Sequence, residues 1–316
     1  SQKDADIIQP LINNSMFFDE NAPCLKIWHQ HDMAQSVGRG ERVGFPIFEL
    51  DEFNEVEKHN LNSLDRIFVC SQWAKNVMLD NIQIPHDKIH VIPLGVDSDL
   101  FQPSESKSKK TVFFNCGKWE IRKGHDILVD IFNKSFNKED DVELWMMTTN
   151  PFLSPEEDQE WKKLYLNSKL GDKIKFIDRV ATHEEVYNIM SRTDCGIFPS
   201  RAEGWNLELL EMLSCGKKVI TTNYSAHSEF CNDNNAYLVN IENKELAYDG
   251  KWFNGKCGSW AKISDTEIDL FVDYMKNVHK LKQGNKFTTN QEGVITAKSF
   301  SWENSSSDIK EILHGR

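Results

Sequence analysis

From residue 111 onwards, short β-rich runs alternate with segments of helical length. The β-rich runs are TVFFNCG, VELWMMTT, KIKFID, DCGIFPS, KKVITT and AYLVN. Between them lie the candidate helices GHDILVDIFNKSF, PEEDQEWKKLYLNSK, THEEVYNIMSR, NLELLEMLSCG and AHSEFC. Strands that alternate with helices are joined by right-handed crossovers, which build a parallel sheet covered on both faces. The pattern therefore predicts one Rossmann-like α/β domain over residues 111–285.

A shorter version of the same pattern fills residues 1–102. Its candidate strands are ADIIQPLI, CLKIWHQ, RVGFPIF, RIFVCS and KIHVIPLG, and its helix is SQWAKNVMLDN. The polar, aperiodic residues 103–110 predict a linker. Residues 286–316 predict a tail, in which SWENSSSDIKEILHG is a terminal helix. Two such domains leave a cleft at the carboxyl ends of two parallel sheets, where ligands bind in open α/β folds.

Composition and charge narrow the range of partners. The 316 residues carry a formal net charge of −12, which argues against nucleic-acid binding, because neutralising a phosphate backbone requires clustered Lys and Arg. No apolar run reaches the ~18 residues of a membrane-spanning helix, and the start SQKDADIIQP is not typical of a signal peptide. The missing initiator Met indicates a trimmed or processed start. Seven scattered cysteines without a C-x-x-C pair predict reduced, mostly buried thiols in a cytoplasmic protein.

The loop CGKWEIRKGHD follows a predicted strand and opens a helix. Gly117 allows a tight backbone turn, and Lys118 and Lys123 flank that turn. A strand, a glycine turn and a helix N-terminus form an anion-binding arrangement, to which two lysines add charge. The alternative, a solvated basic loop in an acidic protein, is equally compatible with this segment alone.

The segment FPSRAEGWNLELLEMLSCG follows another strand and contains two glutamates eight positions apart. On one helix Glu203 and Glu211 would lie about 12 Å apart, too far for an acid/base pair or a shared metal ion. Asn206 instead predicts a helix N-cap, with the helix starting at Leu207 and ending at Gly216. Glu203 then precedes the helix and Glu211 lies in its second turn. Free N–H groups between them are available to a phosphate.

Other acidic residues are interpreted without a metal site. Glu208 is predicted to be an exposed helix charge. Asp97 and Asp99 in VDSD resemble a D-x-D metal motif, but they stand beside the linker and no third ligand is in view. No metal ion and no cofactor are predicted.

In combination, GKWEIRKGHDIL and FPSRAEGWNLELLEMLSCG resemble the signature of the retaining GT-B glycosyltransferases of family GT4, the glycosyl transferases group 1. That signature is E-x7-E, here Glu203 and Glu211, with a Gly-Arg-x4-Lys-Gly loop. DRIFVCSQWAKNVM, KIHVIPLGVDSDLF and FSWENSSSDI extend the resemblance over nearly the whole chain, and GFPIFELDEF resembles subfamilies with an aromatic–Glu segment. The resemblance implies a GT-B fold, two Rossmann-like domains facing a central cleft. The N-terminal domain is unusually short and lacks the family's Gly-rich loop.

The resemblance also implies roles for individual residues. Glu211 would bind the ribose hydroxyls of a nucleotide sugar, Glu203 the hydroxyls of the donor sugar, and Val180 the base. Lys118 and Lys123 would hold the diphosphate and stabilise the leaving group. The family usually has Arg at position 118, and lysine lacks the bidentate fork of arginine. The remaining donor-binding candidates are Gly117, Gly204 and the backbone amides of Trp205, Asn206 and Leu207.

The segment IWHQHDM supplies two candidate histidines. Members of the family have an important histidine that faces the donor sugar, and His29 or His31 matches it. His31 is preferred because HDM resembles the family's His-Asp-aliphatic ending. The alternative is a structural or surface role for both rings. Trp28 is predicted to be a core residue.

The resemblance implies transfer of a sugar from a UDP- or GDP-sugar to a hydroxyl acceptor, with retention of configuration and without a metal ion. The acceptor would be a sugar, a lipid-linked group or another hydroxyl compound. Two alternatives stay open. An epimerase of the same fold would convert the donor without an acceptor. A catalytically silent nucleotide-sugar-binding module is favoured by the short N-terminal half and by Lys118.

Overall fold

The computed structural model of the chain describes residues 2–315. Its first sheet has four parallel strands in sequence order: β1 (Cys24–Trp28), β2 (Arg42–Pro46), β3 (Arg66–Val69) and β4 (Ile89–Val91). The helices of this part of the chain are α1 (Gln2–Asn13), α2 (Glu55–Asn62) and α3 (Gln72–Asn81). Four of the five predicted strands and the predicted helix, α3, are confirmed.

The prediction of a strand at ADIIQPLI is wrong, because this segment lies within α1. Its apolar residues recur at i, i+1, i+4 and i+5, which forms one face of a helix rather than the alternation of a strand. These four side chains are more than half exposed: Ile7, Ile8, Leu11 and Ile12. The prediction of Trp28 as a core residue is also wrong. Trp28 ends β1 with a φ of +101° and its side chain is 57% exposed.

The second sheet has the six strands that the alternating pattern predicts. They are β5 (Thr111–Gly117), β6 (Val142–Thr148), β7 (Ile174–Phe176), β8 (Cys195–Phe198), β9 (Lys218–Asn223) and β10 (Tyr237–Asn240). All pairs are parallel, and the spatial order is β7-β6-β5-β8-β9-β10. The order of the strands along the chain therefore reverses between β5 and β8. In Rossmann-like sheets this reversal opens the crevice where ligands bind.

Helices cover both faces of the second sheet, as a parallel sheet requires. On one face α4 (His125–Ser135), α5 (Pro155–Leu166) and α9 (Asp265–Gln283) pack in an apolar cluster with Phe113. On the other face Phe114 packs with α6 (His183–Met190), α7 (Leu207–Ser214), α8 (His227–Phe230) and α10 (Gln291–Ser299). This second cluster includes Phe45 and Phe68 of the first sheet. The two domains therefore share one apolar core.

An antiparallel hairpin, not predicted from the sequence, follows the second sheet. Its strands are β11 (Lys244–Tyr248) and β12 (Asn254–Ala261). Asp51 of the first domain accepts a hydrogen bond from Ser259 N at 2.6 Å and pairs with Lys244 Nζ at 2.5 Å. These contacts join residues nearly two hundred positions apart, so no local sequence pattern indicates them.

The C-terminal tail returns to the first domain. Its helix α11 (Trp302–His314) confirms the predicted terminal helix. Just before α11, Phe300 O accepts a hydrogen bond from Val96 N at 2.9 Å. Within α11, Ser305 Oγ donates to Pro93 O at 2.5 Å, and Arg66 Nη1 donates to Ile312 O at 2.8 Å. The tail thus binds the first domain although it follows the second one in sequence.

Two further expectations concern thiols and membranes. All seven cysteines are unpaired, and four are buried: Cys70, Cys195, Cys215 and Cys231. Among residues 2–315, no helix has both the length and the apolar character needed to cross a bilayer. Residues 103–110 contain neither helix nor strand, and the domain boundaries on either side of them stay predictions.

Gly95 lies where the tail approaches the first domain most closely. A Cβ at this position would lie 2.1 Å from Trp302 N and 2.3 Å from Ser301 C. We predict that Gly95→Ala lowers the free energy of unfolding by about 1–3 kcal/mol, the usual cost of overpacking, as measured by urea denaturation. Gly284→Ala is the control, because a Cβ there meets its nearest atom at 3.1 Å and the expected change is within about 0.5 kcal/mol. Equal losses in the two variants would contradict the prediction.

Candidate active site

The loops after β5 and β8 leave the same edge of the second sheet, at the point where the strand order reverses. β5 and β8 are parallel neighbours, so residues 118–124 and 199–206 begin side by side. Gly117 has a φ of +141°, and a Cβ there would lie 3.0 Å from Lys123 Cδ. Both the turn and the path of the Lys123 side chain therefore require glycine.

Two cations from the first loop hold Glu203 of the second. Glu203 accepts hydrogen bonds from Arg122 Nη1 at 2.8 Å, from Lys123 Nζ at 2.9 Å and from Ser200 Oγ at 2.9 Å. All four side chains are buried. Burial opposes the ionisation of Glu203, but Lys123 and Arg122 outweigh it and hold the pKa of this carboxyl well below its usual range. Glu203 is therefore a charged and well-paired carboxylate.

The ion network extends to Lys118 through Glu120. Arg122 Nη2 donates to Glu120 Oε2 at 2.6 Å, and Lys118 Nζ lies 3.1 Å from Glu120 Oε1. The Lys118 side chain is 46% exposed, whereas that of Lys123 is only 11% exposed. An ammonium group has three N–H donors, so each lysine retains donors beyond its carboxylate contact. Lys118 and Lys123, the two lysines predicted beside the Gly117 turn, thus belong to one ion network.

Sequence reasoning missed three members of this network: Arg122, Glu120 and Glu49. Arg122 and Glu120 lie in the loop whose prediction rested on its lysines alone. Glu49 follows β2 in the first domain, and its Oε1 lies 3.7 Å from Arg122 Nη2. Burial raises the pKa of the Glu49 carboxyl, and Arg122 opposes that shift. The aromatic–Glu segment GFPIFELDEF was the available sequence signal for Glu49, but only the fold brings it to the second domain.

Asn206 is the N-cap of α7, as predicted. It has a φ of +83°, and its Oδ1 accepts a hydrogen bond from Leu209 N at 3.1 Å. Its Nδ2 lies 2.9 Å from His227 Nε2. Burial lowers the pKa of His227 to about 4, so the neutral ring can accept this hydrogen bond. The backbone N–H groups of residues 204–207 have no acceptor among residues 2–315, which leaves the start of α7 open to an anion.

Glu211 differs from Glu203 in having no hydrogen-bond or ion-pair partner for its carboxylate within the described part of the chain. Burial, with a contribution from Glu208, raises the pKa of Glu211 to about 8. Cys116, near the end of β5, lies close to both acids and to Lys123. Burial is the main cause of its raised thiol pKa, and the charges of Glu208, Glu211 and Lys123 also act on it. Glu211 and Lys123 therefore converge on the end of β5.

The other predicted donor ligands lie against apolar surfaces. Gly204 lies against the first domain, because a Cβ there would contact residues 47–48 at 2.7–3.3 Å. Trp205 is buried, and its indole Nε1 is buried without an acceptor among the described residues. Val180 and Leu207 are half-buried against the shared apolar core. Their roles toward a donor stay predictions.

His29 and His31 follow β1 in the first domain. Their rings are stacked, with centroids 4.9 Å apart and planes at 16°, and both residues are exposed. Burial and the neighbouring His31 lower the pKa of His29, and Lys118 adds to that shift. The preference for His31 over His29 stays a prediction.

Asp97 has a local structural contact. Its Oδ1 accepts hydrogen bonds from the backbone N–H groups of Asp99 and Leu100, both at 3.1 Å. This contact caps the turn at the end of the first domain.

Family models match both halves of this architecture. The model for glycosyl transferases group 1 matches residues 96–250, which include the network, Glu211 and α7. The model for Glycosyltransferase Family 4 matches residues 27–100, which include the two histidines and Glu49. The chain belongs to the group 1 glycosyltransferases. Both matches lie where the residues of the candidate site occur.

Curated relatives are about a quarter identical to this chain over the aligned residues. It is 24% identical over 307 residues to the phosphatidylinositol N-acetylglucosaminyltransferase GPI3 subunit of Saccharomyces cerevisiae, covering 84% of this chain and 66% of that protein. It is 25% identical over 177 residues to the MMP alpha-(1->4)-mannosyltransferase of Mycolicibacterium hassiacum, covering 56% and 41%. The chain thus spans less than two thirds of the length of either relative.

Solved structures show that this chain has the GT-B fold. The glycosyltransferase of Rickettsia africae ESF-5 matches with a TM-score of 0.67 and 20% identity, covering 85% of this chain and 69% of that one. Anabaena Alr3699/HepE, solved in complex with UDP-glucose, matches with a TM-score of 0.66 and 16% identity, covering 88% and 73%. The predicted α/β class and two-domain GT-B architecture are confirmed.

The ion pairs of Arg122 lead to a prediction about the free energy of unfolding. Removing Arg122 leaves Glu120 and Glu203 without their shared buried partner. We predict that Arg122→Met lowers the free energy of unfolding by about 3–5 kcal/mol, the cost of breaking a buried ion pair. Arg42→Met is the matched control, because its ion pair with Asp65 is 45% exposed on both sides and contributes less than about 1 kcal/mol. Urea denaturation measures both variants, and similar losses would refute the distinction.

The raised pKa of Glu211 leads to a prediction about how stability depends on pH. In the folded protein the pKa of Glu211 is about 8, above the ordinary glutamate value of 4.5. Between these two pH values the folded protein therefore holds a proton that the unfolded chain has lost. This group therefore makes stability fall as pH rises through the window, by at most about 1.4 kcal/mol per pH unit. We predict that Glu211→Gln removes this contribution, so that the variant gains stability relative to the wild type as pH rises. Urea titrations at several pH values measure this, and a difference independent of pH would contradict it.

Proposed function

We propose that this chain is a retaining, metal-independent glycosyltransferase that moves a hexose from a UDP- or GDP-sugar to a hydroxyl acceptor. The observation that carries the proposal is the set of groups at the ends of β5 and β8. Lys118, Lys123 and the free amides of residues 204–207 suit a diphosphate, and the unpartnered Glu211 suits ribose hydroxyls. A half-buried carboxyl without a partner is costly, and the hydroxyls of a ribose would offset that cost.

In the proposed reaction, the bond between the anomeric carbon of the sugar and the diphosphate oxygen breaks. The acceptor oxygen bonds to the same face of that carbon, and its proton passes to the leaving phosphate oxygen. Negative charge grows on the diphosphate as its bond to the sugar breaks. Lys118, Lys123 and the amides at the start of α7 would stabilise that charge, because they are oriented before the reaction begins. They would supply the charge that Mg²⁺ supplies in other transferases.

Glu203 would act on the donor sugar and on the cations together. A carboxylate offers about four lone-pair positions, and Arg122, Lys123 and Ser200 occupy three of them. About one position is left, which suits a single sugar hydroxyl. We propose that Glu203 binds one hydroxyl of the donor sugar while it orients Lys123 toward the diphosphate.

The first domain would supply the acceptor side. We propose domains at 1–102 and 111–285, a linker at 103–110 and a tail at 286–316. His29 or His31 would lie over the donor sugar, and closure of the cleft would exclude water, which otherwise hydrolyses the donor.

The names of similar proteins support a lipid-linked acceptor and a nucleotide-sugar donor. The Saccharomyces cerevisiae relative is named for phosphatidylinositol, and the Anabaena structure contains UDP-glucose. The seven unpaired thiols support a reducing, cytoplasmic setting for this reaction.

Nucleotide binding tests the role of Glu211. Glu211→Ala removes the proposed partner of the ribose hydroxyls, and leaving a buried hydrogen-bonding group without its partner costs about 1–3 kcal/mol. We predict about tenfold weaker binding of UDP or GDP by isothermal titration calorimetry. Glu208→Ala, on the same helix, is the matched control and should bind like the wild type. An unchanged Kd in Glu211→Ala would contradict the proposed contact between Glu211 and the ribose hydroxyls.

A transfer assay tests the reaction itself. A panel of UDP- and GDP-sugars is incubated with hydroxyl acceptors, and NMR of the product reports its anomeric configuration. We expect transfer with retention that persists in EDTA, because lysines and amides hold the diphosphate. Conversion of the donor without an acceptor would instead identify an epimerase. Nucleotide binding without turnover of any donor would identify a silent binding module, and loss of activity in EDTA would refute metal independence.

A further inference from the structure

We propose that a second cavity, outside the cleft, binds a neutral sugar ring of a glycan. The cavity has a volume of about 600 Å³ and lies between residues 119–121, α5 and the hairpin turn at 249–252. This volume falls within the range of small-molecule sites in proteins. None of the roles assigned to the donor site uses this cavity.

Aromatic rings form the walls of the cavity. Trp161 of α5 faces it and stacks on the buried Trp119, with centroids 5.4 Å apart and planes at 4°. Trp252 lies across from α5 in the hairpin turn, where its side chain is 50% exposed, and it contacts the exposed Phe152 at 5.7 Å. Exposed apolar patches of this kind mark binding sites. Flat indole faces match the apolar C–H face of a pyranose ring.

The hairpin turn holds Trp252 in a fixed position. Asp249 Oδ1 accepts hydrogen bonds from the backbone N–H groups of Lys251, Trp252 and Phe253 at 2.7–2.9 Å. Lys251 Nζ also reaches α5, where it pairs with Glu157 at 2.7 Å. The turn is therefore held by hydrogen bonds within it and by an ion pair with α5 on the opposite side of the cavity. A preformed aromatic wall lowers the ordering cost of binding.

The polar groups of the cavity favour a neutral polyhydroxyl ligand over a cation. Of the four lining carboxylates, Glu120 and Glu157 already pair with cations, and Asp249 is used by three N–H groups. Glu160 alone has no partner for its carboxylate among residues 2–315. The indole N–H groups of Trp161 and Trp252 likewise have no acceptor within that range. Free donors beside a free acceptor suit sugar hydroxyls, which both donate and accept.

The cavity adjoins the donor site without overlapping it. Glu120 lines the cavity and also pairs with Lys118, whereas Glu211 and the amides at the start of α7 lie outside its lining. A sugar in the cavity and a nucleotide in the cleft would therefore bind together. The inference concerns binding alone and does not depend on the proposed transfer reaction.

Saturation-transfer difference NMR tests the proposal. The probes are maltotriose, a mannotriose and chitotriose at millimolar concentration, each with the full chain in excess UDP. We expect at least one trisaccharide to bind despite the UDP, and Trp252→Ala to weaken that binding by about tenfold. Trp302→Ala is the matched control, because Trp302 is 44% exposed on α11, away from the cavity. Glu160→Gln, at an exposed helix position, should also weaken binding and provides a second variant if Trp252→Ala unfolds.

Several results would overturn the proposal. No trisaccharide binding by the wild type would do so, as would binding that UDP displaces, which belongs to the cleft. Binding unchanged in both Trp252→Ala and Glu160→Gln would place the sugar elsewhere. Binding of tetramethylammonium that Trp252→Ala abolishes, without trisaccharide binding, would identify a cation site. Failure of UDP to bind would count against the proposed donor site only, because the trisaccharide result stands without it.

Discussion

The buried contact between Glu203 and its two cations, Arg122 and Lys123, organises the centre of this molecule. Charges taken out of water must be paired, or the penalty reaches several kcal/mol for each ion. Here the pairing joins three separate pieces of chain: the loop after β5, the loop after β8 and, through Glu49, the first domain. Because the partners come from different elements, their positions fix one another. The site is therefore also a structural joint between the domains.

The network is electrically balanced before any ligand arrives. It contains three cations and three carboxylates: Lys118, Arg122, Lys123, Glu49, Glu120 and Glu203. A diphosphate would add negative charge to a neutral cluster. Burial raises the pKa of Glu49, whereas Lys123 and Arg122 lower that of Glu203. The first domain thus contributes the more weakly paired of these two carboxylates.

The sequence predicts the parts of this protein that depend on local pattern. The strands of the second sheet have their own apolar runs, and Gly117, Asn206 and Gly216 mark a turn, a cap and a helix end by their backbone preferences. Local sequence patterns do not indicate long-range contacts. Glu49 reaches Arg122 only through the packing of two domains, and the hairpin β11–β12 depends on Asp51. The error in α1 has a different origin, because the apolar spacing that indicates a helix is present in the segment itself.

The spacing of Glu203 and Glu211 corresponds to two different electrostatic situations. Glu203 lies ahead of α7 and is surrounded by donors, which keep it charged. Glu211 lies in the second turn of α7 and lacks a partner among the described residues, and burial raises its pKa to about 8. The start of α7 thus separates a paired, charged carboxylate from an unpaired carboxyl group that holds its proton at neutral pH.

The course of the C-terminal tail has a mechanical consequence. The chain passes from the first domain to the second through residues 103–110, and it passes back before α11 binds beside Pro93 and Arg66. The domains are therefore connected by two crossings of the backbone. A second crossing shortens the free chain between the domains and limits how far they can separate. The tail thus restrains the two domains in addition to the apolar core and the ion network that they share.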